Sequence, residues 1–243
     1  DRSEGSGGSS SLGSERQLSV ARPIGDAGNW SSLLKPENRR ATAAALSLNL
    51  LQQLCGINVV VYYAPRILSG LGFTHQASIA LTAGIGMLQI ACGLGISRVI
   101  DDVGRKPVAL TGIVGLGVGL GALAVSASEA MHSIWWSPWL AVAGILVFRL
   151  SFSCSLGPVP YIVTAEVFPS RVRPVGVAVA TGVQWAANAA VTGTFLGLLE
   201  ALGPARTWLL YLGMVVAAFF AVHAALPETK GVSLENMDVD LTS

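Results

Sequence analysis

Residues 49–63 read NLLQQLCGINVVVYY and sit inside an apolar run long enough to cross a bilayer. Hydrocarbon would accept leucines throughout, yet the run carries Gln52, Gln53 and Asn58. A buried amide without a partner costs roughly a few kcal/mol. Three on adjacent turns therefore imply neighbouring helices or a wet cavity, not lipid. Gly56 lies between them, and the β-branched run Ile57, Val59, Val60, Val61 follows. Both features weaken a helix, so the segment is expected to bend or unwind near the amides. Amides donate and accept, which is what a neutral, hydroxyl-rich ligand asks of its partners. The same groups can also stitch one helix to the next, and spacing alone leaves both roles open.

Outside this run the composition has the same character. Of 243 residues, 52% are hydrophobic and 12% charged, with a mean hydropathy of +0.60. Soluble domains carry about a quarter charged residues, so this is a polytopic membrane protein. A net charge of +1, with no basic patch interleaved with aromatics, offers nothing to nucleic acid. Cys55, Cys92 and Cys154 lie far apart in apolar segments and read as packed thiols. His75, His132 and His223 are scattered and suggest no metal site. No phosphate-binding loop or anchored Ser/His/Asp arrangement supports an enzyme, and no cofactor is implied.

Residues 1–29 are Ser- and Gly-rich and read as linker or central loop, too polar to order themselves. The start at Asp1, without a signal peptide, suggests a piece of a longer protein or a processed product. Asn29-Trp30-Ser31 matches a glycosylation sequon, but the orientation below places it in the cytosol, where it stays unmodified. Residues 30–40 (WSSLLKPENRR) form an amphipathic approach to the membrane. Apolar runs follow at 41–64, 77–99, 107–127, 138–168, 174–199 and 206–226. Each approaches or exceeds the roughly 20 residues a spanning helix needs, giving a bundle over 41–226 and a cytosolic tail over 227–243. In the third run, Gly112, Gly115, Gly117, Gly119 and Gly121 are spaced for close helix approach.

Lys35, Arg39, Arg40, Arg98, Arg105, Lys106, Arg171, Arg173 and Lys230 fall on one side of these runs, and only Arg66 and Arg206 on the other. Positive charge marks the cytosolic side, so both chain ends are expected there. Arg149 lies within the fourth run, where an arginine is a functional candidate by default. Packing beside Ser153 or snorkelling outward is the simpler alternative. Gly157-Pro158-Val159-Pro160-Tyr161 must kink or break the same run. Irregular backbone at that depth is tolerated only against protein or a cavity. In the fifth run, Gln184 and Asn188 share a helix face, and Trp185 beside them can stack on the apolar face of a ring.

Taken in order, these stretches resemble the carboxy-terminal half of the sugar porter family within the major facilitator superfamily. QQLCGINVVVYY is similar to the seventh-helix signature, IDDVGRK (100–106) to the charged loop repeated in both halves, and GPVPY to the tenth-helix motif. EVFPSRVRP (166–174) is similar to the cytosolic end of that helix, and PETKG (227–231) to the closing signature. The chain departs from many members at Tyr161, where tryptophan is common, and at Ser153, where a glutamate is common.

The resemblance implies an all-α membrane protein, six transmembrane helices forming one half of a twelve-helix fold. It implies transport of a monosaccharide, a hexose, by alternating access and coupled to protons, with the amino-terminal six-helix half as partner. A non-transporting sugar sensor, or a carrier of a polyol or inositol, is the alternative. It places Gln52, Gln53, Asn58, Tyr62, Tyr63, Gln89, Gly157, Tyr161, Gln184, Trp185 and Asn188 around the substrate. Asp101, Gly104, Arg105, Lys106, Glu166, Arg173 and Glu228 fall in a cytosolic latch, with Asp101 facing Arg105 and Glu166 joined to Arg173. The host membrane would be the plasma membrane or that of an organelle such as the vacuole.

Overall fold

A computed structural model describes residues 29–96, 98–131 and 133–225. Those residues are helical, without a strand among them. The α-helices are α1 (Arg39–Leu54), α2 (Ile57–Gly70), α3 (His75–Ile96), α4 (Ile100–Val103), α5 (Arg105–Ser126), α6 (Ser137–Ser153), α7 (Val159–Val167), α8 (Arg173–Leu202) and α9 (Pro204–Ala225). Five helical segments are long and apolar enough to span a membrane: Arg39–Gly70, His75–Ile96, Arg105–Ser126, Arg173–Leu202 and Pro204–Ala224. A sixth path runs down α6 and, after an interruption at 154–158, into the short α7. All but the last residue of the expected linker at 1–29, and the whole expected tail at 227–243 with Glu228, lie outside the described residues.

Two spans are broken, and each break has a local cause. The first span turns at Cys55–Gly56, where Gly56 has φ +82°, a left-handed conformation that favours glycine. A Cβ there would also stand 2.9 Å from the ring of Tyr211 on α9. In the second broken span, α6 stops at Ser153 and α7 restarts behind Pro158 and Pro160. Prolines are tolerated in a helix's first turn because the N–H they lack would be unsatisfied there anyway. The Gly157 N–H turns back to the Phe152 carbonyl at 2.8 Å, which caps the end of α6.

Around these breaks the bundle packs closely. The tightest seam joins α5 to α6: a Cβ on Gly119 would come within 2.8 Å of the Gly144 carbonyl, and one on Gly144 within 2.9 Å of the Gly119 carbonyl. Gly112 and Gly115 likewise press against Ser155 and Ser151. Gly117 makes only ordinary contact with Leu212, and Gly121 meets nothing, so the close approach uses part of the glycine row. Near the end of the first span, Tyr63, Phe195, Trp208 and Tyr211 bring α2, α8 and α9 together, with ring centroids 4.8–6.4 Å apart.

The membrane approach is pinned to the bundle by its own polar groups. Residues Trp30–Leu34 form a 3-10 turn whose Leu33 is buried and whose Trp30 and Leu34 are exposed. Asn38 donates to the Ser32 carbonyl at 2.8 Å, and Thr42 on α1 donates to the Leu33 carbonyl at 2.9 Å.

Candidate functional site

The turn at Gly56 and the interruption at 154–158 face each other, and Gln52 joins them. Gln52 is 2% exposed; its Nε2 donates to the Leu156 carbonyl at 2.6 Å and to the Gly157 carbonyl at 3.2 Å. Those carbonyls lie in the stretch between α6 and α7, where backbone acceptors are released from helix bonding. Gln52 Oε1 accepts from Gln184 Nε2 on α8 at 2.8 Å and, more weakly, from Gln53 Nε2 at 3.4 Å. Asn58 Nδ2, across the Gly56 turn, donates to Gln53 Oε1 at 2.8 Å. Gln184 Nε2 also hydrogen-bonds the Tyr161 hydroxyl of α7. One amide cluster thus ties α1, α2, α7 and α8 together.

The capacity the cluster leaves unused matters most. Gln52 has donors and acceptor engaged within the protein. By contrast, Gln184 Oε1 and Asn188 Oδ1 are buried acceptors without a hydrogen-bond partner. They stand one turn apart on the same face of α8, with Gln184 4% and Asn188 8% exposed. An unpartnered buried carbonyl costs about 1–3 kcal/mol, and a hydroxyl donor would relieve it. Trp185 and Tyr161 flank this place with half or more of their surface open, Tyr62 is similarly open, and Tyr63 packs at a tilt against Phe195, with ring centroids 4.8 Å apart.

Gln89 goes elsewhere. Its Oε1 accepts from Arg149 Nε at 2.8 Å, and its backbone carbonyl accepts from Ser153 Oγ at 2.8 Å. Arg149 is buried and also donates from Nη1 to the Thr82 carbonyl at 3.2 Å, so it points inward onto α3 and does not snorkel. Here Gln89 bridges α3 to α6.

At the end assigned to the cytosol, Gly104 joins α4 to α5 with φ +104°, again a conformation that favours glycine. Directly after it, Arg105 Nη2 meets Glu166 Oε1 of α7 at 2.8 Å. Glu166 therefore pairs with Arg105, whereas Arg173 Nε donates to the Phe168 carbonyl at 3.1 Å. Lys106, next in the chain, is half-buried, and the Asp101 side chain lies outside what is described.

Sequence reasoning did not single out Asn49 and Thr164, whose side chains bond at 2.9 Å and fasten α1 to α7. The signal was present, since Asn49 stands one turn before Gln52 and Gln53. Nor did it place Thr82 beneath Arg149. Nothing in an isolated threonine marks its carbonyl as an acceptor.

Comparison with known proteins matches residues 12–241 to the family described as "Sugar (and other) transporter". A putative metabolite transport protein, YwtG, of Bacillus subtilis is 36% identical over 89% of this chain and 47% of its own length. The galactose-proton symporter of Escherichia coli is 31% identical over 87% of this chain and 46% of its own. Among solved structures, the proton:xylose symporter XylE bound to 6-bromo-6-deoxy-D-glucose superposes with a TM-score of 0.74 at 27% identity. The match covers 87% of this chain and 46% of that one. The chain spans about half the length of the curated relatives it matches.

Proposed function

We propose, from the premise that this chain belongs to the Sugar (and other) transporter family, that it serves the movement of a monosaccharide across a membrane by alternating access. It is an integral membrane protein of the major facilitator fold, and its relatives are transporters, not enzymes. One observation carries the sugar reading: Gln184 Oε1 and Asn188 Oδ1 are buried acceptors left over in an otherwise satisfied amide cluster. Sugar hydroxyls are the donors that complete them, and Trp185 and Tyr161 offer rings to the sugar's apolar face.

The substrate is a hexose and the coupling ion a proton. This chain supplies the carboxy-terminal half of the cavity, and an amino-terminal six-helix half supplies the rest. Broken helices meeting near the membrane midplane are how such transporters commonly build a site. The Arg105–Glu166 pair ties α5 to α7 and acts as a cytosolic latch that opens and closes with the transport cycle. Both chain ends face the cytosol, and the host membrane is the plasma membrane or that of an organelle such as the vacuole.

The test is uptake of labelled hexose into proteoliposomes holding this chain together with its amino-terminal half. Asn188→Ala should lower apparent affinity about tenfold, the equivalent of one buried hydrogen bond. Binding without uptake would identify a sensor. Unchanged affinity in a folded variant would remove Asn188 from the site.

A further inference from the structure

Four helix ends meet at one place in the bundle: α2 ends at Gly70, α5 at Ser126 and α8 at Leu202, and α9 begins at Pro204. Between them lies a cavity of about 680 Å³, bordered by Gly70, Ser126 and Pro204 and walled by Leu123, Phe195 and Trp208. Those three walls are buried side chains. Because α5 starts at Arg105, the cavity stands at the opposite end of the bundle from the Arg105–Glu166 pair. It is also apart from the amide cluster, since neither Gln52 nor Gln184 lines it.

The lining is wrong for a sugar. Most of it is apolar, and both serine hydroxyls donate within the protein, Ser69 to Ser78 Oγ at 3.1 Å and Ser126 to the Leu123 carbonyl at 2.9 Å. The helix ends are closed as well. The Leu123 and Leu199 carbonyls accept from the N–H groups of Ala127 and Gly203, and the Leu198 carbonyl accepts from Thr207 Oγ1. The negative ends of these helices are thereby met. What remains is Arg66. It is the one charged residue among the described residues of the lining, it is exposed, and it has no ion pair or hydrogen bond among the described residues. An apolar cavity with a free guanidinium at its edge fits an amphiphile with an anionic head.

Depth and size narrow the occupant. Trp135 is exposed beside the same Gly70 and Ser126, and tryptophans so placed mark the interfacial level of a bilayer. Arg66 lies one turn inside Gly70, so its long arm reaches headgroup level while its stem stays against apolar surface. A methylene group fills about the space of a water molecule in the liquid, roughly 30 Å³. One chain of sixteen to eighteen carbons therefore needs about 500 Å³ and two need about 1,000 Å³, so the cavity holds one. We propose that it binds a single long-chain fatty acid drawn from the leaflet at that end. The carboxylate pairs with the Arg66 fork, and the chain lies against Leu123, Phe195 and Trp208.

The experiment titrates the intact transporter with dibromostearate at mildly alkaline pH and follows tryptophan fluorescence. Trp208 is buried, so bromines dissolved in the surrounding detergent do not reach it, whereas bromines in the cavity quench it. A saturable component of quenching is expected, and Trp208→Phe should abolish it. Arg66→Gln should weaken that component about fivefold, and the neutral methyl ester of the same acid should be weaker by about as much. Ala127→Phe, which fills the cavity from the end of α5, should remove saturation altogether. Equal quenching by acid and ester, or an Arg66→Gln titration like that of the unmodified protein, overturns the inference. So does the absence of a saturable component, or one produced equally well by a brominated two-chain phospholipid. If Ala127→Phe does not fold, the exposed Arg66→Gln and the ester decide. None of these outcomes bears on the sugar reading.

Discussion

The seam between α5 and α6 and the face shared by α1, α7 and α8 hold helices together by opposite means. In lipid, apolar side chains gain little by leaving one hydrocarbon surroundings for another, so helices associate by close packing or by hydrogen bonds. The α5–α6 seam uses packing, with Gly119 and Gly144 each set against the other's carbonyl and no room for even a methyl group. The α1–α7–α8 face uses amides, and its bonds run between residues more than a hundred positions apart, from Gln52 to Leu156 and to Gln184. The seam is saturated and leaves nothing over. The amide face ends with two buried acceptors unspent. Residual hydrogen-bonding capacity therefore separates a structural interface from a candidate ligand site more sharply than polarity does.

Breaking the seam should produce the largest effect. Gly119→Leu would drive its side chain into the backbone of α6, beyond what rotamer adjustment can absorb. We expect a loss of about 3 kcal/mol, at the upper end for overpacking, read as a fall in thermal midpoint in detergent. An unchanged midpoint would mean that the two helices are not in backbone contact.

Breaking the amide face should cost less in stability and more in function. Gln52→Ala removes both donors from the Leu156 and Gly157 carbonyls and the acceptor from Gln184. A loss of about 1–3 kcal/mol is expected for partners left unsatisfied, seen as weaker sugar binding by calorimetry on the intact transporter together with a lower midpoint. Weaker binding at an unaltered midpoint would make Gln52 a direct ligand, and a lower midpoint at unaltered affinity would make it a helix stitch only.

The smallest effect belongs to a third kind of contact, the Arg105–Glu166 pair, which neither seam nor amide face contains. Its side chains are only 12% and 21% exposed, so the cost of taking both charges out of water offsets much of their attraction. Glu166→Gln should shift the conformational balance by about 1 kcal/mol or less. Labelling of single cysteines on the two membrane faces would then move in opposite directions, and a static pattern would leave the pair as ordinary interfacial charge.

Sequence alone was enough for the membrane class, the all-helical fold, the family resemblance and the two places where a span must break. Those are local properties. Apolar length, the left-handed freedom of Gly56 and the missing N–H groups of Pro158 and Pro160 act within a few residues of where they are written. The tertiary structure decided which polar groups meet. The resemblance implied a place for Gln89 around the substrate, and its side chain accepts from Arg149. Glu166 and Arg173 are close in sequence, yet Glu166 pairs with Arg105, sixty-one positions away. Gln52 and Gln184 both read as amides facing inward, but only packing made one saturated and the other half free. The physical reason is rotational phase. Periodicity tells which residues share a face of a helix, while the partner that face meets depends on how each neighbour is turned about its own axis. That angle is set by side-chain packing across the whole bundle.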